Sequence, residues 1–121
     1  MSIYRDEILE HYNNPQNFGQ PKKFDIVAKQ VNPFCGDEIE IYIELESSQV
    51  HKVKKIYFFG KGCAISIASA SLLTEFVKGK TLKELTDLTQ EDMLSLLGVE
   101  VSPTRRKCAL LAMATLKEGL K

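Results

Sequence analysis

The chain has 121 residues, of which 44% are hydrophobic and 26% are charged, and its 16 Lys and Arg residues balance its 16 Asp and Glu residues. We expect a single domain over residues 1–121, because this length suits one core and the composition excludes a disordered tail, a fibrous protein and a two-domain enzyme. A net charge of zero gives no general attraction to nucleic acid or to an anionic membrane, so any basic patch is local.

The first half of the chain predicts one helix followed by a small sheet. Residues 1–12 carry a helical stripe of apolar side chains, which the segment 13–15, Asn-Asn-Pro, ends. Strand patterns follow at 24–31, at 35–45, where apolar odd positions alternate with largely acidic even ones, and at 53–59. Three antiparallel strands in a meander are the simplest sheet.

The second half of the chain predicts helices. Residues 64–77 are rich in Ala and Leu and have no period-two pattern, and residues 81–85 predict a short helical turn. Thr89 is the expected N-cap of a helix that ends near Gly98, and Ser102-Pro103 opens a final helix. The apolar stripe of that helix consists of Ala109, Ala112, Met113, Leu116 and Leu120. The predicted fold class is α+β.

Three cysteines are an odd number and too few for a disulfide scaffold, so we expect thiols that are free or bound to metal. The first residues include Asp6 and Glu7 where a secretory signal would carry bases, and no apolar run approaches the roughly 20 residues of a membrane span. These features predict a cytoplasmic protein.

Each cysteine lies at a junction with glycine or positive charge beside it. Extending the alternation of the second strand backwards puts Cys35 and Asp37 on one side, about 7 Å apart, with Gly36 between them. Cys63 directly precedes the helix at 64–77, whose N-terminal N–H groups and dipole lower a thiol pKa. Cys108 follows the cationic run Arg105, Arg106 and Lys107, one turn into the last helix.

Together, three thiolates and one carboxylate suit a tetrahedral site for a soft metal, either zinc or iron-sulfur chemistry. Taken singly, each cysteine also fits a small buried apolar residue and Asp37 fits a turn acid. The cysteine spacings of 28 and 45 positions match no short zinc motif.

Several motifs resemble those of the NifU N-terminal/IscU iron-sulfur scaffold family. They are Asn32-Pro33-Phe34-Cys35-Gly36-Asp37, Gly60-Lys61-Gly62-Cys63-Ala64-Ile65-Ser66 and Lys107-Cys108, and the similarity extends from Tyr4 through His11-Tyr12-Asn13-Asn14-Pro15 to the end of the chain. The resemblance implies a SufE/NifU-like α+β fold with helices packed on a three-stranded antiparallel sheet. It also implies a scaffold that receives sulfur from a cysteine desulfurase and iron, and passes a transient [2Fe-2S] cluster to apo-proteins.

By this resemblance, the thiols that bind the cluster or accept sulfur are Cys35, Cys63 and Cys108. Asp37 corresponds to the family's aspartate, which keeps the cluster labile and can itself ligate metal. We expect Cys108 to be the first persulfide acceptor, because the adjoining bases favour its thiolate. We expect such a scaffold to act as a monomer or a dimer and not to be an enzyme in the ordinary sense.

The chain departs from the IscU pattern before the third cysteine, where it has Lys107 in place of histidine. His11 and His51 lie in other motifs and fit surface or capping roles. IscU-type scaffolds carry a Leu-Pro-Pro-Val-Lys segment, recognised by an Hsp70-type chaperone, before the third cysteine. This chain has Val-Ser-Pro-Thr-Arg at 101–105 instead, so the resemblance does not imply that chaperone as a partner. Lys107 is instead similar to the SufU branch, although the insertion of that branch is absent. The alternative is therefore a sulfurtransferase with Zn²⁺ at the same four residues, and a structural zinc domain is a third interpretation.

Overall fold

The computed structural model describes residues 6–33, 36–47 and 51–121. The elements are α1 (Asp6–Asn13), β1 (Ile26–Asn32), β2 (Asp37–Leu45), β3 (Val53–Lys61), α2 (Ala64–Val77), α3 (Leu82–Thr86), α4 (Gln90–Leu97) and α5 (Pro103–Gly119). Residues 1–5 of the predicted first helix lie outside the described residues, and the rest of that prediction corresponds to α1, which ends just before Pro15.

The sheet is the predicted antiparallel meander, in the order β1-β2-β3. Ile41 at the centre of β2 lies opposite Ala28 on β1 and Phe58 on β3. Burial alternates along β2, with Ile39, Ile41 and Ile43 buried, because successive side chains of a strand point to opposite faces. The strand bounds differ from the predicted ones by only a few residues.

Helices α2 and α5 lie against each other and against the sheet to form the core. Helix α2 has the predicted bounds, and in the predicted stripe of α5 the first four side chains are buried while Leu120 packs at the edge of the core. Burying one large aliphatic side chain stabilises a fold by about 1.5–3 kcal/mol, so these two helices hold the sheet in place. Among the described residues, no helix is both long and apolar enough to cross a bilayer.

The helix ends also follow the sequence. Thr89 caps α4 as predicted and forms a capping box with Asp92, while Gly98 ends the helix with a left-handed φ of 69°. Thr81 caps α3 in the same way, with Glu84 as its partner. These local bonds satisfy backbone groups that the short helices would otherwise expose.

The antiparallel register brings the beginning of β2 beside the end of β3. Asp37 lies opposite Asn32, and Glu38 lies opposite Lys61, the last residue of β3. Gly60 permits this close approach, since its φ is 154° and an added Cβ would lie 2.0 Å from the carbonyl oxygen of Glu38. The start of β2 therefore lies next to the junction between β3 and α2.

Candidate metal and sulfur site

Asp37 is the first residue of β2 and a buried carboxylate, with only 3% of its surface exposed. Its Oδ1 accepts a hydrogen bond from the backbone N–H of Cys63 at 3.2 Å, and its Oδ2 accepts one from the hydroxyl of Ser66. Burial of an ionised carboxylate requires such partners. The first turn of α2 therefore holds the side chain of Asp37.

Cys63 is the N-cap of α2, as the sequence predicted, and is half-buried. Its backbone carbonyl accepts the hydrogen bond of Ile67 N–H at 3.1 Å, which begins the helix. Its Sγ lies 3.9 Å from Oδ2 of Asp37 and 3.6 Å from Oγ of Ser66. A sulfur and a carboxylate oxygen thus meet at the N-terminus of α2.

The environment of Cys63 favours its thiolate. Burial by itself would raise the pKa of the thiol, but the pKa lies below its ordinary value, because hydrogen bonds from the backbone and hydroxyl of Ser66 and from the thiol of Cys108 stabilise the anion. The negative charge of Asp37 opposes this effect. The expected lowering of the Cys63 pKa is present, and the N–H of Ser66 is one of the helix N-terminal groups that were expected to cause it; the hydroxyl of Ser66 and the thiol of Cys108 add to it.

Cys108 reaches the same place from α5. Its side chain is 4% exposed and packs in a small apolar cluster with Ile8, Ile65 and Leu97. The preceding bases, residues 105–107, are all exposed on the first turn of α5. Cys108 therefore has the surroundings of an ordinary core cysteine, while the three bases that precede it in the chain are exposed, and their effect on its thiolate stays a prediction.

The ligand atoms of Asp37, Cys63 and Cys108 all lie within 4.8 Å of one another. Zn–S bonds of about 2.3 Å place two sulfurs of a tetrahedral site roughly 3.8 Å apart, so small side-chain adjustments suffice to bring these donors onto one ion. Two sulfurs and one oxygen suit zinc or iron rather than magnesium or calcium. Within the described ranges, this is the one group of three or more His, Cys, Asp and Glu side chains that could hold a metal.

The fourth predicted donor, Cys35, lies outside the described residues, so its place relative to the other three stays a prediction. The described residues on either side form the connection between β1 and β2, where Gly36 N–H donates to the carbonyl of Asn32 at 2.8 Å and Gly36 has a left-handed φ of 75°. This conformation accounts for the glycine between Cys35 and Asp37. It also places Gly36 in a turn before β2, so the prediction that the strand alternation continues backwards through Gly36 was wrong.

Ser66 and Gly62 also belong to the site, although the sequence did not predict a role for either of them there. An added Cβ at Gly62 would lie 3.0 Å from Cγ and Oδ1 of Asp37 and 3.0 Å from Cβ of Ser66, so glycine allows these two side chains to pack closely here. The spacing of Ser66 three residues after Cys63, on one helix face, is the signal that could have indicated it.

The two histidines are not part of this group. Nδ1 of His11 lies 2.6 Å from Oγ of Ser71, which also accepts a hydrogen bond from Gln16 N–H at 2.8 Å, so His11 joins α1 to α2. His51 is exposed just before β3. His11 therefore has a role between two helices that is more specific than the expected surface or capping role.

The chain is similar to known proteins over nearly its whole length. A family model described as NifU-like N terminal domain matches residues 3–121. The chain is 36% identical to the zinc-dependent sulfurtransferase SufU of Bacillus subtilis, over 98% of this chain and 90% of that protein. It is 33% identical to the iron-sulfur cluster assembly scaffold protein IscU 1 of Archaeoglobus fulgidus, over 98% of this chain and 74% of that protein.

A solved structure has the same fold. The crystal structure of a SufU protein from Fervidobacterium islandicum AW-1 superposes with a TM-score of 0.79 and 30% sequence identity, covering 98% of this chain and 97% of that chain. The likeness therefore extends over the whole sheet and the helices around it.

Proposed function

The chain belongs to the NifU-like N-terminal domain family, and we propose that it is a scaffold for iron-sulfur cluster assembly. It would take iron and sulfur, build a [2Fe-2S] cluster and release the cluster to apo-proteins. In this role the cluster is cargo, so the protein is a scaffold rather than an enzyme.

The observation that carries this proposal is the convergence of Asp37, Cys63 and Cys108 at the beginning of β2 and α2 and on α5. Two soft sulfurs and one hard oxygen hold iron less firmly than four thiolates would, which suits a cluster that must leave. Cys63 is half-buried while the other two are buried, so the site has one side towards solvent.

Cys35 is the proposed fourth donor. One residue separates it from Asp37 in the chain, so covalent geometry keeps their Cα atoms within about 7 Å. A third sulfur would complete the four donors of a tetrahedral site. Lys107 stands where IscU proteins have histidine, and it is exposed before Cys108, so we expect no imidazole ligand from that position.

Sulfur delivery requires a thiolate at the site, and we keep Cys108 as the proposed first acceptor. Its thiolate would attack the outer sulfur of a desulfurase persulfide, so that a new S–S bond forms, the old one breaks, and the desulfurase cysteine leaves as a thiolate. Cys63 is the competing acceptor, because it is more exposed and its pKa is lowered. The exposed bases at 105–107 offer a docking surface for the desulfurase.

The second candidate function is a zinc-dependent sulfur acceptor. The similarity to SufU favours it, and the same residues, Asp37, Cys63, Cys108 and the proposed Cys35, would hold the ion. Bound Zn²⁺ would keep the thiols deprotonated. The partner is again a cysteine desulfurase, but the product is transferred sulfur and not a cluster.

Anaerobic isolation, followed by visible absorption and by analysis of metal and labile sulfide, separates these functions. A scaffold is expected to be brown, or to turn brown with iron, cysteine and a desulfurase, with two iron and two sulfide per cluster. Colourless protein with one zinc per chain that accelerates desulfurase turnover would instead support the sulfur acceptor. Zinc without that acceleration contradicts both.

Single-turnover sulfur transfer followed by mass spectrometry tests the acceptor. A mass increase of one sulfur on Cys108, which is lost in Cys108→Ser while the far-UV circular dichroism is kept, is the expected result. Cys63→Ser is the matched variant, and loss of the first transfer in that variant alone would reassign the acceptor to Cys63.

A further inference from the structure

Ser66 lies at the centre of the site although it is not one of the expected ligands. Its side chain is 0% exposed and lies in the first turn of α2. Its hydroxyl donates to Oδ2 of Asp37, and it also lies 3.6 Å from Sγ of Cys63 and 3.4 Å from the carbonyl oxygen of Cys108. One buried hydroxyl therefore contacts each of the three residues whose side chains converge.

The hydrogen bonds around Asp37 restrict the orientation of its carboxylate. The terminal torsion of an aspartate is otherwise broad, so a carboxylate with one partner can turn. Here the N–H of Cys63 contacts Oδ1 and the hydroxyl of Ser66 contacts Oδ2. Gly62 makes room for this arrangement, because a Cβ at that position would lie 3.0 Å from both Asp37 and Ser66. The carboxylate is therefore oriented before any metal binds.

We infer that Ser66 is a positioning residue that orients the carboxylate of Asp37 for metal binding, an inference that rests on the proposed metal site. Residues that hydrogen-bond to metal ligands fix the orientation of those ligands, and their loss typically lowers metal affinity about 10- to 100-fold. The hydroxyl of Ser66 has one proton, which it donates to Asp37, whereas Sγ of Cys63 lies 3.6 Å away. The effect of Ser66 must therefore depend chiefly on the carboxylate of Asp37.

The test is a titration of the reduced full chain with Co²⁺, and with Zn²⁺ in competition, under anaerobic conditions. Ser66→Ala is expected to lower the affinity about 10- to 100-fold. It should keep the thiolate-to-cobalt charge-transfer absorption, because the sulfurs remain, and it should change the d–d bands in the same way as Asp37→Ala. In the Asp37→Ala background, Ser66→Ala should lower affinity by less than about twofold, since coupled residues are not additive.

Ser69→Ala is the matched control. Ser69 lies one turn further along α2, is also 0% exposed, and its Oγ has no hydrogen-bond partner in the described part of the chain. The Ser69→Ala variant deletes a buried hydroxyl from the same helix, but one that does not contact Asp37. Its affinity for Co²⁺ should therefore equal that of the wild type. Ser66→Thr keeps the donor and should retain most of the affinity, which leaves a usable variant if Ser66→Ala folds poorly.

Two results would overturn the role of Ser66 alone: wild-type affinity in Ser66→Ala, or an equal loss of affinity with and without the carboxylate of Asp37. A wild-type chain that binds neither Co²⁺ nor Zn²⁺ would overturn the proposed site and this inference together. The wild-type titration therefore distinguishes a failure of the proposed function from a failure of the positioning role.

Discussion

At the scale of single residues, Gly62 is a position of the site where a side chain has almost no space. Gly62→Ala would bring a methyl group to 3.0 Å from Asp37 and from Ser66, so one of them must move. We expect a loss of about 1–2 kcal/mol in the free energy of unfolding, because overpacking outweighs the gain from a less flexible unfolded chain. We also expect weaker Co²⁺ binding, measured by the same titration.

Gly119→Ala is the control for overpacking alone. An added Cβ there would lie 3.1 Å from Cγ2 of Ile26, at the other end of α5 from Cys108. Urea unfolding should show a similar decrease in the free energy of unfolding, while the affinity for Co²⁺ should stay at the wild-type value. Equal metal affinity in the Gly62 variant and the wild type would contradict the role given to Gly62.

At the scale of elements, α2 links the site to the loop that follows α1. Near its C-terminal end, Lys78 and Asn17 donate hydrogen bonds to Glu75, and these lower the pKa of that carboxyl, with burial acting weakly against them. Because the folded pKa lies below the unfolded one, the stabilisation is present above the unfolded pKa and is lost as the pH falls through the folded pKa.

Glu75→Gln is therefore expected to lower the stability at pH 7 by less than about 1 kcal/mol, since the side chain is partly exposed and screened. Relative to the wild type, the deficit should shrink below pH 4.5, the ordinary pKa of this carboxyl, and disappear at lower pH. Urea unfolding at several pH values measures this difference. Glu118→Gln, on the exposed pair with Lys121, controls for the loss of one charge. A deficit that grows on acidification would refute the assignment.

At the scale of the whole molecule, the site joins the sheet to two helices, because its donors come from β2, from the beginning of α2 and from α5. A metal that binds only the folded state stabilises it by about 2.7 kcal/mol at a free concentration 100 times the dissociation constant. For a chain of this size, that corresponds to a rise of roughly 10 °C in Tm. Thermal unfolding of the reduced protein with and without Zn²⁺ measures the rise.

Cys63→Ser should remove most of that rise while leaving the metal-free Tm close to the wild-type value, since Cys63 is half-buried and serine also serves as an N-cap. An unchanged rise in this variant would mean that zinc binds elsewhere. A large fall in the metal-free Tm would support the interpretation of the cysteines as structural packing.

Much of the fold follows from local patterns. The alternation of apolar and polar residues around Ile41 predicts a strand with one buried face, and Thr89 and Gly98 predict the two ends of α4. Both features could be predicted because they depend on residues within a few positions of one another. The connection between α1 and α2 through His11 and Ser71 was not foreseen, since both residues have several equally good local roles.

The sequence by itself determined the three strands, the helix bounds, the placement of Cys63 at a helix N-terminus and the residue types of a soft-metal site, because periodicity, capping and donor chemistry are written in short stretches. Only the tertiary structure decided that Asp37, Cys63 and Cys108 meet, and that Ser66 and Gly62 complete their surroundings. Those contacts arise from strand register and from the packing of α2 against α5, which join residues far apart in the chain and leave no local pattern to read.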